Sequence, residues 1–173
     1  MMFHVEPSVS TCFPKRSILL GLTLVLLNSC VLGRQTMQIT DYILVPNGKE
    51  VLGSKGLTSF IFENNITKIP IEQYLSTRLK SDNYLQKEYW VTIEQEKYKI
   101  IIYDNAEFEK YFDSSHYAVK NEQPENSKNG DSRKFIAISM INSFNEDCLA
   151  QDSLFQNIAV TYLKKLKDEY YNQ

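Results

Sequence analysis

Hydrophobic and polar residues alternate along two neighbouring segments near the middle of the chain. In Tyr89–Ile93 every second residue is a large apolar one, which is the two-residue period of a half-buried β-strand. A second strand is predicted at Tyr98–Tyr103, where Ile100–Ile102 places apolar side chains on both faces and favours a position inside a sheet. The polar residues Glu94–Lys97 join the two segments, so the sequence predicts a β-hairpin here.

Three further apolar runs predict strands at Asp41–Val45, Leu57–Glu63 and Lys134–Ile141. The first run ends at Pro46-Asn47-Gly48, a tripeptide typical of a turn. A sheet of four or five strands is therefore expected, and the hairpin makes it mostly antiparallel.

Helical spacing of apolar residues occurs at three places. Pro70 suits the first turn of one helix, and Asp104 followed by Glu107 is typical of a capping box that opens a second. The clearest helix is the last, predicted over Asp152–Tyr171. Its apolar face comprises Leu154, Phe155, Ile158, Ala159, Tyr162, Leu163, Leu166 and Tyr170. The sequence thus predicts an α+β domain with about three helices, the C-terminal one being the longest.

The composition is that of one ordinary globular domain. Of the 173 residues, 43% are hydrophobic and 23% are charged, which excludes a disordered tail and a disulfide-dense miniprotein. The net charge of −2 argues against nucleic acid as a partner, because proteins that bind it concentrate cations. A polar stretch near 114–133 is expected to be a mobile loop within a single domain spanning 41–173.

The first 30 residues differ from the rest. Lys15 and Arg16 precede Ser17–Leu27, a run of uncharged residues. A helix that spans a bilayer needs about 20 apolar residues, so this run is too short for one. A basic patch followed by a short apolar run is instead typical of an export signal.

The end of that run resembles the lipobox of bacterial lipoprotein precursors. Leu27 stands three residues before Cys30, Ser29 stands directly before it, and Asn28 lies between them. The resemblance covers Lys15 to Cys30 alone. It implies cleavage between Ser29 and Cys30, thioether lipidation of the Cys30 thiol and acylation of the new amino terminus.

Lipidation would fix the domain on a membrane, since two acyl chains hold stably where one holds marginally. Residues 1–29 would be a cleaved signal peptide, and 30–40 a lipidated tether that reaches at most about 35 Å. Val31 is not the Asp that retains lipoproteins at the inner membrane of many enteric bacteria. The resemblance therefore implies the outer membrane where the host has two membranes, and otherwise the cell membrane, with the domain on the extracytoplasmic side.

Two alternatives for this segment stay open: an uncleaved signal anchor, and an ordinary signal peptide cut elsewhere. Met1–Pro14 is longer than the basic region of a typical signal, which departs from the pattern and leaves the start of translation open.

Cys148 is the first candidate for catalysis, because Cys12 and Cys30 belong to the N-terminal segment. Its neighbours Glu146 and Asp147 are acidic, and carboxylates raise the pKa of a thiol, so a structural cysteine is favoured. A pair with His116 is conceivable, but the spacing of 32 residues does not predict that they meet.

Other residue clusters carry weaker chemical indications. A calcium site would use the oxygen ligands of one polar segment, which are Asn142, Asn145, Glu146, Asp147 and Asp152. Their spacing does not match the calcium loop that has acidic residues at alternating positions, a central Gly and a terminal Glu. The favoured interpretation is a connection in which Asp152 caps the last helix. The glycine cluster Gly48, Gly53 and Gly56 lacks the Lys-hydroxyl ending of a phosphate loop, so turns are favoured.

The aromatic content of 12% has two interpretations. Trp90 lies on the polar face of its strand and is a candidate exposed anchor for a protein or glycan. The alternative is a thick aromatic core.

The expected function is that of a lipid-anchored bacterial envelope protein. A non-catalytic role in binding or assembling a protein partner is favoured, with no catalytic residue, metal or cofactor assigned. One alternative is a cell-wall or glycan-processing enzyme that uses carboxylates on the sheet or in the loop 142–152. Another is an immunity-type lipoprotein whose acidic loop covers the basic active site of a toxin.

Overall fold

A computed structural model describes residues 36–51, 53, 55–65, 68–120 and 133–173. Thr36–Gln173 forms one compact unit. The predicted signal peptide, including Ser29 and Cys30, lies outside the described residues.

Seven strands and three α-helices make up the described part of the chain. The strands are Met37–Gln38 (β1), Ile43–Val45 (β2), Ser59–Glu63 (β3), Glu88–Ile93 (β4), Glu96–Ile102 (β5), Tyr117–Ala118 (β6) and Phe135–Asn142 (β7). The helices are Ile71–Arg78 (α1), Asn105–Phe112 (α2) and Gln156–Tyr171 (α3).

Five strands form one antiparallel sheet in the order β2-β3-β7-β5-β4. All eight residues of β7 are buried, and this strand occupies the centre. β5 is also an interior strand, as its three isoleucines predicted. β1 and β6 form a separate parallel pair. The α+β class, the mostly antiparallel sheet and the longest helix at the C-terminus are confirmed.

The β4–β5 hairpin is tighter than predicted. Its loop is Glu94–Gln95, and the two residues have φ values of 49° and 72°. Positive φ at both central residues defines a type I′ turn, whose twist matches that of the strands it joins. Glu96 and Lys97, expected in the loop, therefore belong to β5.

The two faces of the sheet carry separate hydrophobic cores, because successive side chains of a strand point to opposite sides. On one face, α1 and α3 cover residues such as Phe60, Ile100 and Ile138. On the other face, α2 supplies Phe108 and Phe112, which pack with Ile61, Ala137 and Phe135 among others. Aromatic side chains thus contribute strongly to both cores, as the second interpretation of their abundance expected.

The last helix begins later than predicted. Two reverse turns, Ser153 N–H to Ala150 C=O at 3.0 Å and Gln156 N–H to Ser153 C=O at 3.2 Å, occupy the chain before it. Phe155 is the N-cap residue and makes no side-chain cap bond, so the prediction that Asp152 caps this helix is wrong. Leu154, predicted to face inward, is 94% exposed.

The folded domain starts before Asp41. Gln38 and Met37 pair with β6, and Ile39 is buried in the core beneath α2. The first residues of the predicted loop at 114–133 form a 3-10 turn at Ser114–His116 and then β6. Residues 121–132 of that loop lie outside the described residues.

A buried ion pair connects α1 to the start of β7. Arg133 Nη1 and Nη2 donate to the two carboxylate oxygens of Glu72 at 2.7 and 2.8 Å. Their side chains are only 10% and 15% exposed. The backbone C=O of Arg133 accepts from Asn64 Nδ2, and Asn64 Oδ1 accepts from the Tyr170 hydroxyl of α3. The pair therefore belongs to a network that joins the sheet to two helices.

A second polar network lies inside the sheet on the α2 side. Ser139 Oγ lies 2.7 Å from Ser59 Oγ and 3.0 Å from the Tyr103 hydroxyl. The Tyr103 hydroxyl also accepts from Lys49 N–H at 2.9 Å. Gly48 lies against this hydroxyl so closely that an added Cβ would be 2.5 Å from it. These contacts fix the segment before β3 onto the sheet.

Candidate functional site

Cys148 is a core residue. It follows β7, donates its backbone N–H to Met140 C=O at 2.9 Å, and is fully buried. Burial, with added repulsion from Asp147 and Glu146, raises the pKa of its thiol to about 12. The thiol is therefore protonated at neutral pH, whereas a nucleophilic cysteine is a thiolate.

His116 lies on the other side of the sheet from Cys148. It is on the 3-10 turn after α2, its side chain is 59% exposed, and its Nε2 is 3.8 Å from an Asp113 carboxylate oxygen. Tyr117, the next residue, packs in the core beneath α2, whereas Cys148 belongs to the core beneath α3. The sheet separates the two residues, so they form no Cys-His pair.

We expect Cys148 to be unreactive in the folded protein. A soluble maleimide at neutral pH should leave Cys148 unmodified in the native chain and modify it after denaturation, because the sulfur is both buried and protonated. Peptide mapping by mass spectrometry measures this directly, with Cys148→Ser as the control for peptide assignment. Rapid labelling before unfolding would contradict the assignment of this cysteine to the core.

In the acidic segment after β7, Asn142 and Glu146 bond to each other and to backbone N–H groups of the same segment. Asn142 Oδ1 accepts from Phe144 N–H and Glu146 N–H at 2.9 and 3.0 Å, and Asn142 Nδ2 donates to the Glu146 carboxylate at 2.7 Å. Within the part of the chain that the structure describes, no group of three His, Cys, Asp or Glu residues is placed to hold a metal ion. The arrangement is that of a self-bonded loop.

Asp147 joins this loop to the glycine turns. Its Oδ2 accepts from Thr58 N–H at 2.7 Å, and its Oδ1 accepts from Leu149 N–H at 2.9 Å. The two segments border an open cleft of about 530 Å³ whose lining includes Lys55, Gly56 and Glu146. The Asp147 carboxylate, which also lines this cleft, thus holds two backbone segments together.

The glycine turns are built for close backbone approach. Gly48 N–H donates to Leu57 C=O at 2.8 Å, and Leu57 N–H donates to Lys49 C=O at 3.0 Å. A Cβ on Gly56 would lie 2.7 Å from Gly48 C=O. The cluster leads into β3 rather than into a helix, so it lacks the strand-to-helix geometry of a phosphate loop.

The largest exposed aromatic residue lies on an edge of the sheet. β4 is the last strand in the order, and its exposed residues Glu88, Trp90 and Thr92 form what we term the edge surface. Trp90 is 54% exposed. Lys99 of β5 lies across it, with Nζ 5.1 Å from the Trp90 ring centroid and 3.2 Å from a Glu88 carboxylate oxygen.

The backbone of the edge surface points away from the sheet. Lys87 C=O accepts from Ile102 N–H at 2.8 Å, which fixes the phase of the β4–β5 ladder. In an antiparallel pair, the backbone groups of every second residue bond to the same neighbouring strand. Since Lys87 bonds to β5, the backbone groups of Tyr89, Val91 and Ile93 bond to β5 as well. The N–H and C=O groups of the three edge-surface residues therefore face outward, and the Gln86 side chain accordingly reaches Glu88 C=O.

Sequence reasoning identified Trp90 but missed the edge on which it lies. The alternation of β4 indicates which side chains are exposed, whereas strand order depends on pairings between distant segments. Phe144 and Leu154, 81% and 94% exposed, were also missed as surface residues.

Comparison of the chain with protein-family models, with curated proteins and with solved structures finds no match. Among the described residues, none of the helices combines the length and the hydrophobicity that crossing a bilayer requires.

Proposed function

We propose that this chain is a lipid-anchored bacterial envelope protein whose folded domain binds a protein partner. The observation that carries the anchor is the order of features at the N-terminus: the basic pair Lys15-Arg16, the apolar run Ser17–Leu27, and Ser29 before Cys30. Acylation of Cys30 would then hold the domain on the outer membrane or the cell membrane.

The small number of residues between Cys30 and the folded domain supports a role near the bilayer. The compact unit begins at Thr36, so six residue steps connect it to Cys30. A fully extended chain of that length spans about 20 Å. This is shorter than the tether expected from the sequence, because β1 and Ile39 belong to the domain. A partner must therefore lie at or near the same membrane.

The edge surface supports the binding half of the proposal. Exposed tryptophan is enriched at protein interfaces, and outward N–H and C=O groups can accept a further strand. The candidate nucleophile and two of the carboxylates suggested by the sequence are engaged in the fold: the Cys148 thiol is buried, Glu146 accepts from Asn142 Nδ2, and Asp147 bonds two backbone N–H groups. A binding role is consequently better supported than a catalytic one.

The anchor is tested by metabolic labelling with radioactive palmitate. We expect the native chain to incorporate label and Cys30→Ala to incorporate none, because Cys30 provides the acylated thiol and amino group. Cys12→Ala is the matched control, since it removes a cysteine of the same segment that the proposal leaves unmodified, and it should label like the native chain. Equal labelling of Cys30→Ala, or an unlabelled native chain, would refute the anchor.

A further inference from the structure

We propose that two copies of this chain associate through β4, which pairs antiparallel with β4 of the second copy to form one continuous sheet. This inference deepens the binding half of the proposed function by naming the partner as a second copy. It does not depend on the lipid anchor.

The β4 edge is long and weakly protected. It spans six residues, against three in β2 at the opposite edge. Exposed edges are ordinarily protected by charges, proline, a bulge or shortness. β4 contains no proline, its pairing with β5 runs without a bulge, and its one charged residue, Glu88, is paired with Lys99. No strand lies beyond β4 within the described residues.

The edge is complementary to itself. The residues whose N–H and C=O groups face outward must pair with each other across the dimer. One such register places Trp90 opposite Trp90 of the second copy, and Glu88 opposite Thr92 of the second copy. This register is symmetric about a twofold axis at Trp90, as a closed dimer requires. Pairs of aromatic side chains directly opposite one another are among the contacts that stabilise antiparallel strands.

The charges favour this register over a shifted one. Lys97 of β5 lies directly across from Thr92. In the dimer, Glu88 of the second copy lies on the other side of Thr92 from Lys97. Because the threonine side chain is small, the Lys97 and Glu88 side chains can approach each other above it. Sliding the strands until Glu88 faces Glu88 of the second copy would oppose like charges. The Gln86 side chain donates to Glu88 C=O in the single chain. In the dimer, Thr92 N–H of the second copy would replace it as the donor.

The test is the mass of the full-length chain in detergent, measured by analytical ultracentrifugation with the detergent density-matched. We expect the native chain to sediment as two copies and Thr92→Pro as one. Proline at 92 removes an outward N–H and leaves the β5 ladder intact, a position that edge strands tolerate. Thr92→Ser retains the N–H and is the matched control, so it should remain at two copies. Circular dichroism verifies that each variant is folded.

Trp90 provides a second readout because it is the only tryptophan. Dilution of the native chain should move its emission to longer wavelength as the ring becomes exposed, whereas Thr92→Pro should emit at the longer wavelength at every concentration. A native chain of single mass, whatever else its edge binds, overturns the proposal.

Should Thr92→Pro fail to fold, Trp90→Lys decides, because its exposed side chain places two like charges opposite each other without touching the core. We expect it to sediment as one copy and Trp90→Tyr as two. Persistence of the doubled mass in folded Trp90→Lys overturns the inference. None of these outcomes affects the palmitate result, which tests the anchor separately.

Discussion

Replacing Arg133 by methionine should destabilise the domain by about 3 kcal/mol, since removal of one partner leaves the other charge buried and unpaired. Glu72 would lose both bonds, at 2.7 and 2.8 Å, while its side chain stays 15% exposed. The free energy of unfolding, measured by urea denaturation of the full-length chain, reports the loss. The start of β7 and α1 should become less stable together, because this pair connects them.

Two matched variants distinguish a buried charge from lost packing. Arg133→Met combined with Glu72→Leu should recover most of the stability, because hydrophobic replacement of a buried pair is often neutral. Lys164→Met removes an exposed pair with Asp41 at 3.3 Å and should cost less than about 1 kcal/mol. A double variant no more stable than Arg133→Met would show that the charge on Glu72 is not the cause.

Gly48→Ala should cost about 2 to 3 kcal/mol, the upper range for overpacking in a close-packed interior. The added Cβ would lie 2.5 Å from the Tyr103 hydroxyl, 2.8 Å from Leu57 C=O and 3.1 Å from Phe112. Relief of these contacts must displace Tyr103, whose hydroxyl bonds Ser139 and Lys49 N–H. Thermal and urea unfolding measure the loss.

Gly53→Ala is the matched control for this effect. Gly53 has φ +74° and no atom within 4 Å of an added Cβ, so its substitution costs only backbone strain of about 1 kcal/mol. The clash also predicts non-additivity, because Tyr103→Phe removes the atom nearest to the added Cβ. The free energy of unfolding lost by Gly48→Ala combined with Tyr103→Phe should be less than the sum of the losses of the two single variants. Equal losses at Gly48 and Gly53 would contradict a steric origin.

Local periodicity predicted most elements because strands and helices bury residues at fixed intervals. Tyr89 and Val91 are buried and Trp90 and Thr92 exposed, as alternation requires. The same reasoning failed at Leu154, because the apolar spacing of α3 continues upstream while two reverse turns take the backbone bonds that another helical turn would need.

Contacts between residues that are distant along the chain cannot be predicted from local sequence patterns. Arg133 and Glu72 are 61 residues apart, and β7 lies between β3 and β5 although it follows both along the chain. The candidate chemistry shows the same limit. The acidic residues near Cys148 predicted an unreactive thiol. The hydrogen bond from Thr58 N–H to Asp147 and the position of β4 at the sheet edge are known only from the fold.

The β1–β6 pair has a mechanical consequence. Tension on the chain ahead of Thr36 falls first on two residue pairs, Met37 with Tyr117 and Gln38 with Ala118, then on buried Ile39. The next attachment is Asp41, held by Lys164 and Lys167 of α3. Release of residues 36–40, which requires exposing Ile39, would lengthen the tether by about 17 Å and leave the pairings of the five-stranded sheet intact.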